Sequence, residues 1–228
     1  MPAAIGFDGD DTLWHNETIF SMTQDRFRDL MVRYVPETEV DDRLIARERA
    51  NLRLFGYGVK GFMLSMIETA IEVTGERISA GDIQRIIDFG KTMLDHPVEL
   101  LDGVEETIDR LARRFPLYLI TKGDLFDQES KIARSGLAER FQRIEIVSEK
   151  DEATYAQVLE RAGIAPGDFL MVGNSVRSDI LPVLAIGGRA VHIPYHITWA
   201  HEVVPMPDPQ PGLTVLDSIR DLPGHLPD

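Results

Sequence analysis

The sequence predicts an α/β protein: a doubly wound parallel sheet interrupted by an inserted all-helical module. Three observations predict it. Short apolar runs recur, each bounded by polar or turn residues; helical periodicity separates those beyond Leu100; and one long stretch after the first run is helical throughout. The first run, Ala3 to Phe7 (AAIGF), reads as a buried strand. From Thr18 to about His96 apolar residues then fall near 3.6 spacing, starting with Phe20, Phe27, Leu30, Met31 and Tyr34. Leu44, Leu52 and Phe55 continue the pattern, followed by Phe62 to Ile71 and by Ile83 to Leu94. Pro36, Gly56-Tyr57-Gly58, Gly75 and Pro97 punctuate it, so four helices are expected and almost no strand.

After Leu100 the period changes. The runs LYLI (117–120), IEIV (144–147), FLMV (169–172) and AVHI (190–193) alternate with helical patterns near Val104–Arg113, Gln128–Ser135, Thr154–Ala162 and Asp179–Ala185. Such alternation calls for a parallel sheet with helices on both faces. The expected organisation is a core of residues 1–14 and 97–228 around a helical module of residues 15–96. The Pro-rich tail from Pro194 is expected to be a surface extension with little regular structure beyond one late helix near Leu216–Leu222.

Composition narrows the function. With 24 Lys and Arg against 38 Asp and Glu, the formal net charge is −14, which repels nucleic acid and anionic membranes. Arg47, Arg49 and Arg53 form no basic patch, because acids and apolar residues alternate with them. No apolar run approaches the ~18 residues of a bilayer span, and the N-terminus has no signal-peptide pattern. The absence of cysteine excludes disulfides and thiolate metal sites and fits a cytoplasmic enzyme. A small anionic substrate remains compatible with the charge, since a bound cation inverts the local field. Oligomeric state is left open.

The chemistry lies where the strand runs stop. AAIGF ends at Asp8, LYLI at Thr121, IEIV runs into Ser148-Glu149-Lys150, and FLMV into Gly173-Asn174-Ser175 with Asp179 just beyond. Ligands of open parallel sheets bind beyond the carboxyl ends of the strands, so these distant residues converge on one edge. Asp8 and Asp10 are two apart and, in extended chain, point to the same side. Facing carboxylates raise one another's pKa unless a cation intervenes. Mg²⁺ suits such a site, with its preference for oxygen donors and a phosphate. Lys150 adds positive charge, and Thr121 a hydroxyl beside the backbone N–H groups of Lys122 and Gly123. Together these groups make a phosphoryl site.

The residues resemble the haloacid dehalogenase superfamily, a phosphatase-rich group of Mg²⁺-dependent aspartyl enzymes. Its DxDxT motif matches Asp8 to Thr12, its strand-terminal Ser or Thr matches Thr121, its Lys ahead of a helix matches Lys150, and its GDxxxxD matches Gly173 to Asp179. Four motifs occur in the family's order over residues 8 to 179, and the helical insert stands where a C1-type cap would. The resemblance implies a Rossmann-like core with a helical cap and Mg²⁺-dependent hydrolysis of a small phosphorylated metabolite. It implies Asp8 as nucleophile, Asp10 as acid and base, and Thr121, Lys122, Gly123 and Lys150 around the phosphoryl group. The implied metal shell is Asp8, the Asp10 backbone carbonyl, Asn174 and Asp179. One departure is Asn174, which stands where the family usually has Asp and is expected to weaken Mg²⁺ binding. A dehalogenase, a phosphomutase and a catalytically silent binding protein on the same fold are the alternatives.

Simpler readings exist for single residues. Asp151 reads as a helix cap, Thr121 as a strand-end cap, and Asp11 as a residue without a role. His192, His196 and His201 read as structural or surface groups, and Met63 and Met66 as core. Trp14 and His15 read as candidates for a substrate entrance or a hinge.

Overall fold

The computed structural model describes residues 2–226; Met1, Pro227 and Asp228, at the ends of the expected core, lie outside them. Six strands form one sheet: β1 (Ala4–Phe7), β2 (Leu117–Lys122), β3 (Arg143–Val147), β4 (Phe169–Gly173), β5 (Arg189–His192) and β6 (Leu213–Val215). Their order is β3-β2-β1-β4-β5-β6, and every neighbouring pair is parallel. Between β1 and β2 the chain makes four helices, α1 (Glu17–Met31), α2 (Glu37–Phe55), α3 (Val59–Val73) and α4 (Ala80–Asp95). Beyond Leu100 follow α5 (Val104–Ala112), α6 (Leu125–Ser135), α7 (Glu152–Ala162), α8 (Leu181–Ala185) and α9 (Leu222–His225). This is the α/β class that the alternating runs predict.

Two compact units divide the chain. One comprises Met1–Glu17, Val98–Lys122 and Gln128–Asp228; the other comprises Thr18–Pro97 and Gly123–Asp127. In the sheet unit, period two sends alternate side chains to opposite faces. Ile5, Phe7, Leu117, Leu119, Leu170 and Val172 pack with Val104, Ile108 and Leu111 of α5. Ala4, Tyr118, Ile120, Phe169 and Met171 pack on the other face with Tyr155, Val158 and Leu159 of α7. A parallel sheet covered on both faces needs apolar residues at nearly every strand position, which is why the runs are continuous. At Gly6 an added Cβ would stand 2.4 Å from the Phe169 ring, so the ring fills the space the glycine leaves.

In the helical unit, Phe27, Met31, Leu44, Phe62, Met66 and Ile86 form a core of their own, with Met63 packed against it. Both methionines are therefore packing residues of this unit. No helix of the described residues is long and apolar enough to cross a membrane.

The tail differs from expectation. It contributes the edge strand β6, a 3₁₀ turn at Ile219–Asp221 and α9 from Leu222, in place of one helix from Leu216. Three residues (LTV) are too short to show a period, and pairing with β5 decides their conformation.

Met66 is fully buried, so Met66→Ala is expected to destabilise the chain by ~2–5 kcal/mol, read by thermal or urea denaturation.

Candidate active site

Asp8 follows β1, and its N–H donates to the Val172 carbonyl at 2.9 Å, which extends the β1–β4 pairing by one residue. β1 lies between β2 and β4, so the direction of strand succession reverses there, the place where open parallel sheets bind ligands beyond the strands' carboxyl ends. Thr121 is the penultimate residue of β2 and is 1% exposed. Lys150 follows β3 and precedes α7, which Asp151 caps by accepting from Thr154 N. Asn174 and Ser175 follow β4 and lead into a π-helical turn, Val176–Ile180, that carries Asp179. Gly173 makes that approach possible, since an added Cβ would stand 2.3 Å from the Asp179 carboxyl carbon.

Asp8, Lys150 and Asp179 meet in one buried group. The Lys150 ammonium donates to Asp8 Oδ1 and, at 2.7 Å, to Asp179 Oδ1, while Asp179 Oδ2 accepts from Ser175 N at 2.9 Å. Burial pushes the Asp8 carboxyl up to about 7 although Lys150 opposes the shift. Burial works against the Lys150 charge too, but Asp179 and Asp8 more than offset it and raise its pKa. One ammonium against two buried carboxylates leaves an excess of negative charge. The Thr12 hydroxyl lies 3.4 Å from Asp8 Oδ2 and 3.2 Å from Asn174 Oδ1, and it accepts from Asn174 N at 3.1 Å. Asp8, Asp179, Asn174 and Thr12 supply oxygen atoms here, so the residues fit a hard cation such as Mg²⁺ that keeps part of its water shell. Among the described residues no three or more His, Asp or Glu side chains form a metal cluster by themselves.

Asp10 is held differently. Lys131 Nζ donates to both carboxylate oxygens at 2.8 and 2.9 Å, Gln128 Nε2 donates to Oδ2 at 2.8 Å, and Trp14 Nε1 donates to Oδ1 at 2.6 Å. Burial alone would raise this carboxyl, but Lys131 and the other donors carry it below the usual carboxylate range. Gln128 also links Asp10 to Thr121, whose hydroxyl donates to Gln128 Oε1 at 3.4 Å. Lys122 turns its ammonium to Ser178 Oγ at 2.8 Å and to Glu202 at 2.5 Å. Gly123 directly follows β2 with φ 153°.

Several residues have places the sequence did not announce. Trp14 is wholly buried and serves Asp10, which corrects its reading as an entrance residue; Gly9 lets it in, since a Cβ there would stand 2.7 Å from the indole ring. Asp11, at φ 61°, accepts from the N–H groups of Asn16 and Glu17 and so starts α1. His192 Nε2 bonds the Asn174 carbonyl at 2.9 Å, a structural place beside the site. Thr12, Gln128, Lys131 and Glu202 went unnoticed as site residues. The i, i+3 spacing of Gln128 and Lys131 just after Thr121 is a usable signal, because it puts both on one face of α6. Nothing in the sequence marks Glu202.

These groups stand at or beyond the ends of β1, β2, β3 and β4. A family model of haloacid dehalogenase-like hydrolases matches residues 2–187. The chain belongs to this family. A crystal structure of a haloacid dehalogenase-like hydrolase from Xanthomonas campestris is 46% identical, covers 98% of this chain and 89% of its own, and has a TM-score of 0.89. The 5-amino-6-(5-phospho-D-ribitylamino)uracil phosphatase YigB of Escherichia coli is 26% identical over 84% of this chain and 83% of its own length. The N-acylneuraminate-9-phosphatase of Mus musculus is 29% identical over 59% of this chain. The match spans about half of that mouse protein, 54% of its length.

Gly173→Ala is expected to displace Asp179, lower the melting temperature and remove turnover. Gly81→Ala in α4, where a Cβ meets nothing closer than 3.7 Å, is expected to be neutral or stabilising by up to ~1 kcal/mol. Parallel thermal melts of the two variants check the contrast.

Proposed function

We propose that this chain hydrolyses a small phosphate monoester through a phosphoaspartyl intermediate on Asp8. The observation that carries the reading is the buried Asp8–Lys150–Asp179 group at the strand ends, with Thr121 at the neighbouring strand. Two relatives named as phosphatases of small phosphorylated compounds support it, and the cysteine-free composition supports a cytoplasmic setting.

In this reading the Asp8 carboxylate attacks phosphorus as the bond to the leaving oxygen breaks, and that oxygen takes its proton from Asp10, which carries one only once the Lys131 contacts that hold it ionised are broken. A water then attacks phosphorus, gives its proton to Asp10, and releases phosphate as the Asp8–phosphorus bond breaks. Lys150 balances charge on Asp8 and the phosphoryl oxygens, and Thr121 with the N–H groups of Lys122 and Gly123 holds those oxygens. Asp8, the Asp10 carbonyl, Asn174 and Asp179 would hold Mg²⁺, which supplies charge neutralisation at the phosphoryl group.

The test is release of phosphate from nitrophenyl phosphate with Mg²⁺, with EDTA, and in Asp8→Asn. Expected are loss on chelation and a drop of roughly 10⁴-fold or more in Asp8→Asn. Hydrolysis that survives both would overturn the reading. Metal-independent halide release from a 2-haloacid would instead establish a dehalogenase, and phosphoryl return to a sugar a mutase.

Stability gives an independent check on Asp8. The folded chain binds the Asp8 proton more tightly than the unfolded chain, so stability falls as pH rises from 3.8 toward about 7. Asn imitates the neutral acid. Asp8→Asn is therefore expected to melt at or above the wild-type temperature at pH 8, with the advantage shrinking toward pH 4.

Asn174→Asp restores a charge among the oxygen donors and is expected to tighten Mg²⁺ binding by roughly tenfold, measured by calorimetry. An unchanged titration would put Asn174 outside the metal shell.

A further inference from the structure

Residues 193–212, between β5 and β6, carry no helix or strand. Segments beyond ~12–15 residues without such structure are uncommon within compact domains and are often functional. This one lies entirely beyond the region matched by the family model, which ends at residue 187. Yet it is bonded to the loops after three of the strands that build the site. After β1, His15 Nδ1 lies 2.6 Å from the Tyr195 hydroxyl. In the turn after β4, Arg177 donates to the His201 carbonyl at 2.6 Å.

The densest contact is at Glu202. Its Oε1 accepts from Lys122 Nζ at 2.5 Å, at the end of β2. Its Oε2 accepts from the hydroxyls of Ser175 at 2.5 Å and Ser178 at 2.6 Å, in the turn after β4. The donors and acceptors close without conflict. Ser175 Oγ gives its proton to Glu202 and accepts from Ser178 N at 3.0 Å, and Ser178 Oγ gives its proton to Glu202 and accepts from Lys122 at 2.8 Å. Lys122 and Glu202 side chains are 14% and 11% exposed, so the network is largely out of water. One carboxylate thus ties the backbone that follows Thr121 to the turn that carries Asn174 and Asp179.

We propose that residues 193–212 are a strap tied to the active-site loops through Glu202 and that Glu202 is a positioning residue, fixing the phosphoryl-binding and metal-binding loops relative to one another. The proposal rests on the phosphatase reading above. Removing the carboxylate leaves two buried hydroxyl donors and an ammonium seeking other acceptors, and the Glu149 carboxylate, 3.4 Å from Lys122, is within reach. Both loops then lose their common anchor. Groups that orient metal ligands from behind typically change affinity or activity by about 10–100-fold when removed.

The test compares full-length wild type, Glu202→Gln, Glu202→Ala and Val203→Ala, the last at a strap position 64% exposed. Mg²⁺ binding is measured by calorimetry without substrate, nitrophenyl phosphate turnover by steady-state kinetics, and folding by thermal melts. Expected for Glu202→Gln are Mg²⁺ affinity and kcat/KM each lower by about tenfold or more at a preserved fold, with Val203→Ala unchanged. The isosteric Gln variant decides the matter if Glu202→Ala fails to fold. Wild-type Mg²⁺ affinity and turnover in Glu202→Gln would overturn the role of Glu202 and leave the phosphatase reading standing. A wild-type protein with neither Mg²⁺ binding nor Asp8-dependent hydrolysis would overturn both.

Discussion

A single ammonium shared by two buried carboxylates organises this molecule's strand-end site. Lys150 stands between Asp8 and Asp179, and each comes from a different strand end. Asp8 and Asp179 follow the adjacent strands β1 and β4, and Lys150 reaches both from beyond the end of β3, on the far side of β2. The arrangement requires Gly173, whose missing side chain is the space Asp179 occupies. Burial makes the arrangement sensitive to charge. Paired buried ions are tolerated and an unpaired one is costly, so any change in the count of charges here is felt by the whole sheet edge.

The sheet accommodates that tension by keeping everything beneath it apolar. Phe7, Val172 and Leu119 sit below the polar edge, each wholly buried, and alternate residues lock the helices to either face. The functional groups stand near the ends of the strands or in the segments that follow them. Loops do the rest: Asp11 adopts a left-handed conformation to start α1, and the π turn after β4 widens the backbone to aim Asp179 inward.

The strands and helices were legible because their physical cause is local. A strand buried on both faces must be a short continuous apolar run, and LYLI and FLMV are such runs. The acidic cluster around Asp8 was legible for the opposite reason, since repelling charges beside an apolar strand suggest either a solvated turn or a counter-charge, and Lys150 is such a counter-charge. The environment of Asp10 was not legible. It depends on Lys131 and Gln128, 121 and 118 residues away, brought close by the β1–β2 pairing. Glu202 was hidden for the same reason, 80 residues from Lys122 in a segment without periodicity. Trp14, directly after the acidic loop, reads from sequence as an entrance or hinge residue, whereas its ring fills the space over Gly9.

Asp8 and Asp10 show what sequence proximity leaves out. They are two residues apart and share a loop, yet their environments move them in opposite directions, Asp8 upward and Asp10 downward. Burial acts on both, so burial does not separate them. The ratio of cations to carboxylates does. Asp8 divides Lys150 with Asp179, whereas Asp10 has both its oxygens on Lys131 and two neutral donors besides. The deficit of positive charge is therefore confined to the Asp8 side of the loop. A ligand that brings positive charge gains most there, because it favours the ionised form of the Asp8 carboxyl. The same asymmetry leaves Asp10, fixed by four donor contacts, as the group whose position is set before any ligand arrives.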